Sequence, residues 1–528
     1  MTIITRFAPS PTGMLHIGGA RTALFNYYFA KKNKGKFLLR IEDTDKKRST
    51  VDAVLAIMLG MHWLGIEIDE EIVFQSNNAQ QHIDIAKQLL DAGQAYESYE
   101  RKITIGKESQ IVKTEQPSIK IKIPKGKTIV KDTVHGTIEF NNDDIEDFVI
   151  LRSTQEPTYM LSAVVDDINA NVTNIIRGDD HLSNTPKQII LYQMLNKHIP
   201  QFTHIPLIHG MDGKKLSKRH NAVAVEEYQN KGYLPEAMQS YLMQLGWNPN
   251  LEKEILSPEE IEKVFNLKDI NKSASKFNVS KLNHINLKYI QNMPDGKLFG
   301  KIKQHIVNHL ANCCNGGNKQ KYTAFQSQLK QVQIANIIKQ NNYILTQLKH
   351  AFNNVKEANI NILNIKTQIE QNNKKQQEAL AQILSTNIKK SEEINNDEIE
   401  QKILNSLPEC KKQNNLKDVA ETTCLFLPHF EIQFEDDAII AIKNNHDIVV
   451  KLKNFLNNFN KPVNEFQQEF KLFLTENNYK FGAVGPVLRS ILIGKTSSIN
   501  ISFIIAIIEL EEAKERAKKA ILLYSNKL

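Results

Sequence analysis

Two segments of this chain carry the residue types needed to handle a polyphosphate. The first, PSPTGMLHIGGAR at 9–21, places His16 two residues before the pair Gly18 and Gly19 and at the start of an apolar run with helical spacing. Pro9 and Pro11 stiffen the turn, while Gly13, Gly18 and Gly19 remove side chains where a nucleotide must come close to the backbone. A histidine at a helix start can donate to phosphate oxygens that the free N–H groups and the helix dipole already favour. The second segment, HGMDGKKLSKRHN at 209–221, gathers Lys214, Lys215, Lys218 and Arg219 around the small Ser217 in a glycine-flanked loop. Taken singly, the first is also what a turn with a satisfied imidazole looks like, and the second a solvated charge run. Taken together they describe a phosphate site faced by a lysine loop.

The elements that must position these segments alternate. Residues 2–8 form an apolar, β-branched run, PSPTG a turn, and IGGARTALFNYYFAKK places Ala20, Leu24, Tyr27 and Tyr28 at helical spacing. KFLLRIED then reads as a buried strand ending in carboxylates. Strand, crossover helix and strand predict a right-handed parallel unit of an α/β sheet. Between 96 and 150, alternating runs such as SIKIKI and TVHGTIEF, broken by Pro124, Gly126 and Gly136, predict a small β-rich insertion. The parallel pattern resumes with NVTNIIRGDDH as a strand ending at Asp179 and Asp180, TPKQIILYQML as a helix and THIPLIHG as a strand. Function in such sheets gathers at the carboxyl ends of the strands. From about 225 the pattern is helical; Ser257, Pro258 and Glu260 form a capping-box helix start. Residues 311–400 are dense in Asn, Gln, Lys and Ile, a partly helical insertion to which no chemistry is assigned.

A chain of 528 residues exceeds a single core and predicts several domains. With 41% hydrophobic and 24% charged residues it can bury sizeable cores. The formal charge of +8 raises the case for a polyanionic partner only slightly. Four cysteines make no disulfide framework and fit a reducing compartment. The N-terminus lacks the features of a signal peptide, and the longest apolar run, ISFIIAII at 501–508, is far shorter than the roughly 20 residues that span a bilayer. The expectation is a cytoplasmic protein without a membrane partner.

HIGG and KLSKR resemble the two signature motifs of class I aminoacyl-tRNA synthetases, and RFAPSPTGMLHIGGARTALF is similar to the glutamyl branch of that family. LLRIEDTD at 38–45, FVILRS at 148–153, IIRGDDHLSNTP at 175–186 and GYLPEAM at 232–238 resemble the same branch in the same order. The carboxyl half is similar more thinly, through SKFNVSKLNHINLKYI at 275–290 and FGAVGPVLRSILIGKTSS at 481–498. The resemblance implies a Rossmann-like parallel-sheet catalytic domain in two halves, 1–95 and 151–225, around an acceptor-binding insertion at 96–150. It further implies a helical stem-contact domain at 226–310 and, beyond the insertion at 311–400, a helical anticodon-binding domain at 401–528.

The implied activity joins glutamate to tRNA(Glu) in two steps through glutamyl-adenylate, with ATP and its Mg²⁺ as substrate. By resemblance His16 and Lys218, assisted by Lys215, stabilise the pentavalent phosphate, and ATP is held by Pro9, Ser10, Pro11, Thr12, Gly13, His16, Gly18 and Gly19 together with Lys215, Leu216, Ser217, Lys218 and Arg219. The glutamate pocket falls on Arg6, Ala8, Ser10, Glu42, Tyr159 and Arg177, where a guanidinium fork suits a carboxylate. Asp179 and Asp180 are read as positioning residues, and Arg489 and Lys495 as contacts to tRNA phosphates.

The chain also departs from the family. Many relatives hold zinc through a Cys-x-Cys pair where this chain has Ser98 and Glu100, so no structural zinc is expected. Ala163 replaces an asparagine used in some glutamate pockets, and Asn221 a glycine beyond the lysine loop. The nearest rival is an enzyme that also charges tRNA(Gln) for later amidation. A glutaminyl-tRNA synthetase would end in β-barrels, a relative that glutamylates a modified tRNA base would lack the anticodon domain, and a binding-only paralogue or a simple nucleotidyltransferase would not need all these parts. The family leans towards monomers.

Overall fold

The computed structural model describes all residues except 1, 46–47, 106–107, 215, 217–223, 250–251, 314–322, 354–359, 386–395, 428–429, 431, 497–498 and 526–528. The chain forms two compact units, one of Met1–Ile285 with Lys339–Lys374, the other of Asn286–Ile338 with Lys375–Leu528.

In the first unit β1 (Ile4–Phe7), α1 (Ile17–Lys32) and β2 (Lys36–Ile41) make the expected parallel βαβ unit, with Arg6 paired in register with Leu38. The turn from α1 to β2 is so tight that a Cβ on Gly35 would lie 2.1 Å from the Ile3 carbonyl oxygen, which excludes any other residue there. Helix α2 (Val51–Trp63) leads to β3 (Val73–Phe74), parallel to β2, and then to α3 (Ala79–Asp91). Two hairpins follow, β4 (Ala95–Ile105) with β5 (Glu108–Ile121), and β6 (Lys127–Asp132) with β7 (Gly136–Asn141). The pairing of β4 with β5 shifts register between Ser98 and Glu100. β5 also pairs with β8 (Val149–Leu151), after which come α4 (Tyr159–Asn169), β9 (Asn174–Gly178), α5 (Thr185–Met194) and β10 (Gln201–Ile205).

β9, β10 and β6 are parallel neighbours, with β7 antiparallel at the edge, so residues 127–141 are strands of the main sheet rather than of a separate hairpin. Alternation alone does not distinguish the two, because an edge hairpin and an inserted hairpin share the same period. The blocks β1–β2–β3 and β9–β10–β6–β7 meet at β1 and β9: Thr173 N donates to Ile4 O at 3.0 Å and Ile4 N to Thr173 Oγ1 at 2.8 Å. Strand order therefore runs outward in both directions from β1 and β9, and the crevice at their carboxyl ends is the switch point where such sheets bind ligands.

THIPLIHG is not one strand. Pro206 has no N–H to give a ladder, and the segment breaks into β10 and β11 (Ile208–His209), the latter going on to pair elsewhere. Helices α6 (Val225–Asn230), α7 (Pro235–Met243) and α8 (Pro258–Val264) follow, the last with the predicted capping box: Glu260 N donates to Ser257 Oγ at 3.3 Å and Ser257 N to Glu260 Oε2 at 2.9 Å. β12 (Ser275–Lys276) completes the pair with β11. Phe25 of α1 meets Phe265 edge-on at 5.2 Å, and Phe265 meets Trp247 at 5.1 Å, so the phosphate-facing helix is packed from behind by aromatic rings. Arg21, buried in the same helix, donates from Nη1 to Leu245 O at 2.9 Å and from Nη2 to Pro206 O. Burial lowers its pKa to about 10, partly offset by Asp179.

Within the polar insertion, helices span Thr323–Asn353 and Ile360–Ser385. In the part that belongs to the first unit, Tyr343 packs on His62 of α2 with ring centroids 4.5 Å apart, Gln368 Nε2 donates to Asp52 Oδ1 at 2.9 Å, and Ile344 and Ile369 are buried.

Among its described residues the second unit is built of helices and their connecting turns. Phe455, Phe459, Phe466, Phe470 and Phe473 stack into one aromatic core. Arg516, 3% exposed, ties two helix ends together. Its Nη1 donates to Leu425 O and Leu492 O, both at 2.7 Å, its Nη2 to Leu427 O at 3.0 Å, and its Nε to Glu512 Oε1 at 2.8 Å. These carbonyls close the helices Leu416–Cys424 and Phe481–Ile493, whose last C=O groups have no partner within the helix. Arg516→Leu should therefore destabilise this unit by about 3 to 5 kcal/mol in urea unfolding, because it removes a buried cation paired with Glu512 and three donated hydrogen bonds. Arg516→Lys should recover only part of that, since an ammonium cannot reproduce the fork.

Candidate active site

A cavity of ≈ 460 Å³ opens at the carboxyl ends of β1 and β9. Its floor is charged, and the charges arrive on strands that are otherwise apolar. Arg6 in ITRF and Arg40 in KFLLRI both turn to Asp167, near the end of α4. Arg6 donates from Nε to Asp167 Oδ1 at 3.0 Å and from Nη2 to Oδ2 at 3.3 Å. Arg40 Nη1 donates to Asp167 Oδ1 at 2.5 Å, and Arg40 Nη2 to Glu42 Oε1 at 3.2 Å. The four side chains are 3 to 10% exposed.

Burial disfavours the charged form of each group, yet the alternating signs win for most of them. Burial pushes the Asp167 carboxyl up, but Arg40 and Arg6 outweigh it and hold the group below the usual carboxylate range. Burial likewise works against the Arg40 cation, but Asp167, Glu42 and Asp166 raise its pKa above the usual arginine value. Glu42, at the end of the chain of charges, is left with its pKa raised, burial outweighing Arg40 and Arg6. A cation bound beside it would oppose that rise, as Arg40 and Arg6 already do. Glu42 is therefore suited to an ammonium group.

The opposite wall is β9. Arg177, 6% exposed, donates from Nε to His204 Nε2 at 3.1 Å and from Nη2 to Thr185 Oγ1 at 2.9 Å. Its Nη1 has no partner among the described residues. Tyr159, the first residue of α4, brings its hydroxyl to 3.4 Å from His181 Nδ1, and burial raises its pKa. Arg6, Ala8, Ser10, Glu42, Tyr159 and Arg177, the residues assigned to glutamate, all line this one cavity.

The neighbouring part of the cavity is the start of α1. His16 is the N-cap, and its Nδ1 accepts from Gly19 N at 3.1 Å. Accepting at Nδ1 places the proton of the neutral ring on Nε2, so the side chain caps the helix with one nitrogen and keeps a donor on the other. A Cβ on Gly18 would stand 3.2 Å from His16 Nδ1, so that glycine leaves room for the ring as well as for a ligand. His16, Gly18, Gly19, Asp180 and Leu216 line the cavity; Pro9, Pro11, Thr12, Gly13 and Asp179 stand outside its lining. Pro9 O accepts from Glu42 N at 3.0 Å and Pro11 O from Thr50 N at 3.2 Å, which tie the proline loop to the segment after β2. Lys215, Ser217, Lys218, Arg219 and Asn221 lie outside the described residues. Arg489 and Lys495 belong to the second unit, where Lys495 pairs with Glu435 at 2.8 Å.

Sequence reasoning missed Arg40, Asp167, His181, Thr185, His204 and Asp132. The available signal was a charge inside an apolar run: Arg40 in KFLLRI, Asp167 in YMLSAVVDDIN and His204 in QFTHI. Asp167→Asn should leave two buried guanidinium groups sharing a neutral partner and cost about 3 to 5 kcal/mol in chemical denaturation. Because the folded pKa of Asp167 is depressed, its contribution is fully present above the unfolded carboxylate value of about 3.9 and is lost as pH falls through the folded value. The variant should accordingly lose stability less steeply than the native chain in acid titrations below about pH 4.

Residues 2–111 and 100–284 match the family described as tRNA synthetases class I (E and Q), catalytic domain, and residues 407–521 match an anticodon binding domain. The chain is 49% identical over 307 residues to glutamate–tRNA ligase 2 of Wolbachia sp. subsp. Brugia malayi, covering 55% of this chain and 68% of that one. It is 47% identical over 322 residues to glutamate–tRNA ligase 1 of Bartonella bacilliformis, covering 57% and 67%. A crystal structure of a glutamate tRNA ligase from Elizabethkingia meningosepticum in complex with its amino acid shares the fold, with a TM-score of 0.69 at 22% identity over 99% of both chains. With the family match covering more than half of the sequence, the chain belongs to the glutamyl branch of the class I aminoacyl-tRNA synthetases.

Proposed function

We propose that this cavity activates glutamate with ATP and delivers it to the 3′ end of tRNA(Glu). The observation that carries the reading is the placement, in one crevice at the β1/β9 switch point, of two buried arginines and a carboxylate beside a helix N-cap histidine. Arg177 offers its Nη1 edge to a substrate carboxylate, Arg6 is held nearby by Asp167, and Glu42 receives the ammonium. His16 donates to the phosphates at the start of α1, and Lys218, assisted by Lys215, stabilises their charge in the pentavalent state. Mg²⁺ enters with the nucleotide.

In the first step an α-carboxylate oxygen of glutamate forms a bond to the α-phosphorus of ATP, and the bond to pyrophosphate breaks. In the second a ribose hydroxyl of the terminal adenosine attacks the acyl carbon and AMP leaves, its proton passing to solvent or phosphate. Neither step needs a covalent enzyme intermediate, so positioning and charge stabilisation carry the rate. Asp179 and Asp180, at the turn after β9, are positioning residues in this reading, and Arg489 and Lys495 meet tRNA phosphates. The β4–β5 hairpin, with Ser98 and Glu100 in place of thiolate ligands, is proposed to stand without zinc, and the enzyme to act as a cytoplasmic monomer.

The test is charging with radiolabelled glutamate on separate transcripts of tRNA(Glu) and tRNA(Gln). Charging of tRNA(Glu) alone is the expected result, and charging of both would identify an enzyme that also prepares tRNA(Gln) for amidation. Charging of neither, with transcripts active in control reactions, would overturn the reading. Lys218→Ala should reduce kcat by about 10² to 10³, the usual loss when one donor to a developing phosphate charge is removed.

A further inference from the structure

Arg177 is held from behind by two residues that never reach the cavity. Its Nε meets His204 Nε2 at 3.1 Å. A guanidinium has only donors, so His204 Nε2 must present a lone pair, and the single proton of the neutral ring must sit on Nδ1. There it donates to Asp132 Oδ2 at 2.7 Å. Asp132 is fixed in the accepting role: its Oδ2 also receives His204 N at 3.0 Å, and its Oδ1 receives Val134 N and His135 N, both at 2.9 Å. The three residues stand on the adjacent strands β6, β10 and β9, and the side chains of Asp132 and His204 are 0% exposed.

We propose that Asp132 and His204 are positioning residues for the reaction, setting the tautomer that pins the Nε edge of Arg177 and leaves its Nη1 edge for the substrate carboxylate. The proposal rests on the reading of Arg177 as a glutamate contact. With Nε on His204 and Nη2 on Thr185, the guanidinium plane is fixed at two points and cannot turn about its last bond. Removing the acceptor would leave an unsatisfied N–H in the sheet and free the fork to turn away from the cavity.

The titratable and charged groups that face His204 are Asp132 from β6, His135 from the turn after it, Arg177 from β9 and His181 from the turn after β9, and the Thr185 hydroxyl also stands 3.0 Å from its Nε2. Burial holds the ring's pKa below the usual histidine value; Asp132 opposes this, while Arg177 and His135 add to it. The neutral, accepting form therefore prevails at neutral pH. Protonation in acid turns Nε2 into a donor aimed at the donor Nε of Arg177. The KM for glutamate should rise on the acid side.

The experiment compares KM for glutamate with KM for ATP in aminoacylation by the full chain. Arg177→Ala serves as reference. Asp132→Asn keeps the shape but lets the amide donate to His204 Nδ1, moving the ring proton to the wrong nitrogen, and His204→Leu removes the acceptor outright. Both should raise KM for glutamate about 10- to 100-fold, the range of one lost hydrogen bond to a charged group, and leave KM for ATP unchanged. His204→Gln, which can place an acceptor near the position of Nε2 but does not titrate, should restore most of the affinity and flatten the acid-side rise. If Arg177→Ala raises KM for glutamate while Asp132→Asn and His204→Leu do not, or if they raise both KM values together, the proposal is wrong and the pair is merely structural. An unchanged KM for glutamate in Arg177→Ala overturns the reading of the arginine itself, and the proposal with it.

Discussion

The Asp167 carboxylate is shared by two arginines that reach it from different strands, and the geometry of the site depends on that sharing. Taking four ionised side chains out of water costs several kcal/mol per ion unless each is paired and hydrogen-bonded. Here the signs alternate from Arg6 through Asp167 and Arg40 to Glu42, so each charge has a neighbour of opposite sign. The order of charges fixes the spacing of β1, β2 and α4. It also leaves Glu42 incompletely compensated, at the point where the cavity is open.

Two histidines then divide the cavity by tautomer. His16 accepts at Nδ1 from Gly19 and keeps its proton on Nε2, whereas His204 accepts at Nε2 from Arg177 and keeps its proton on Nδ1. Neither choice belongs to imidazole itself; each is imposed by the group on the other side of the ring. A helix N–H sets the first and a guanidinium the second. The same side chain thus serves as a phosphate-facing donor in one wall and as a buried acceptor in the other.

Much of this was legible in the sequence, for specific reasons. The βαβ unit, the capping box at Ser257 and the helical carboxyl half follow from periodicity and cap chemistry, which are local. The residues assigned to glutamate are drawn from β1, α4 and β9 and from the segments just after β1 and β2, and only the ordered motifs of a known family could gather them before folding did. Arg40, Asp167, His204 and Asp132 escaped because their partners are distant in sequence: Arg40 reaches Asp167 across 127 positions and His204 reaches Asp132 across 72. A charge inside an apolar strand signals that a partner exists, but not which one. The break at Pro206 was visible as a residue and still misread, because the run on either side of it stayed apolar.

The 161 positions between Arg6 and Asp167 also have a meaning in time. A ribosome releases β1, α1 and β2 well before it releases α4, so the amino-terminal strands leave the tunnel carrying two cations destined for a dry interior without the carboxylate they will share. That fragment cannot settle into its final form while it waits. The hairpins β4–β5 and β6–β7 are made in the interval, and β6 in turn has no parallel neighbour until β10 appears. Translation order therefore keeps the first-made ligand residues apart from the carboxylate that positions them until α4 has been synthesised.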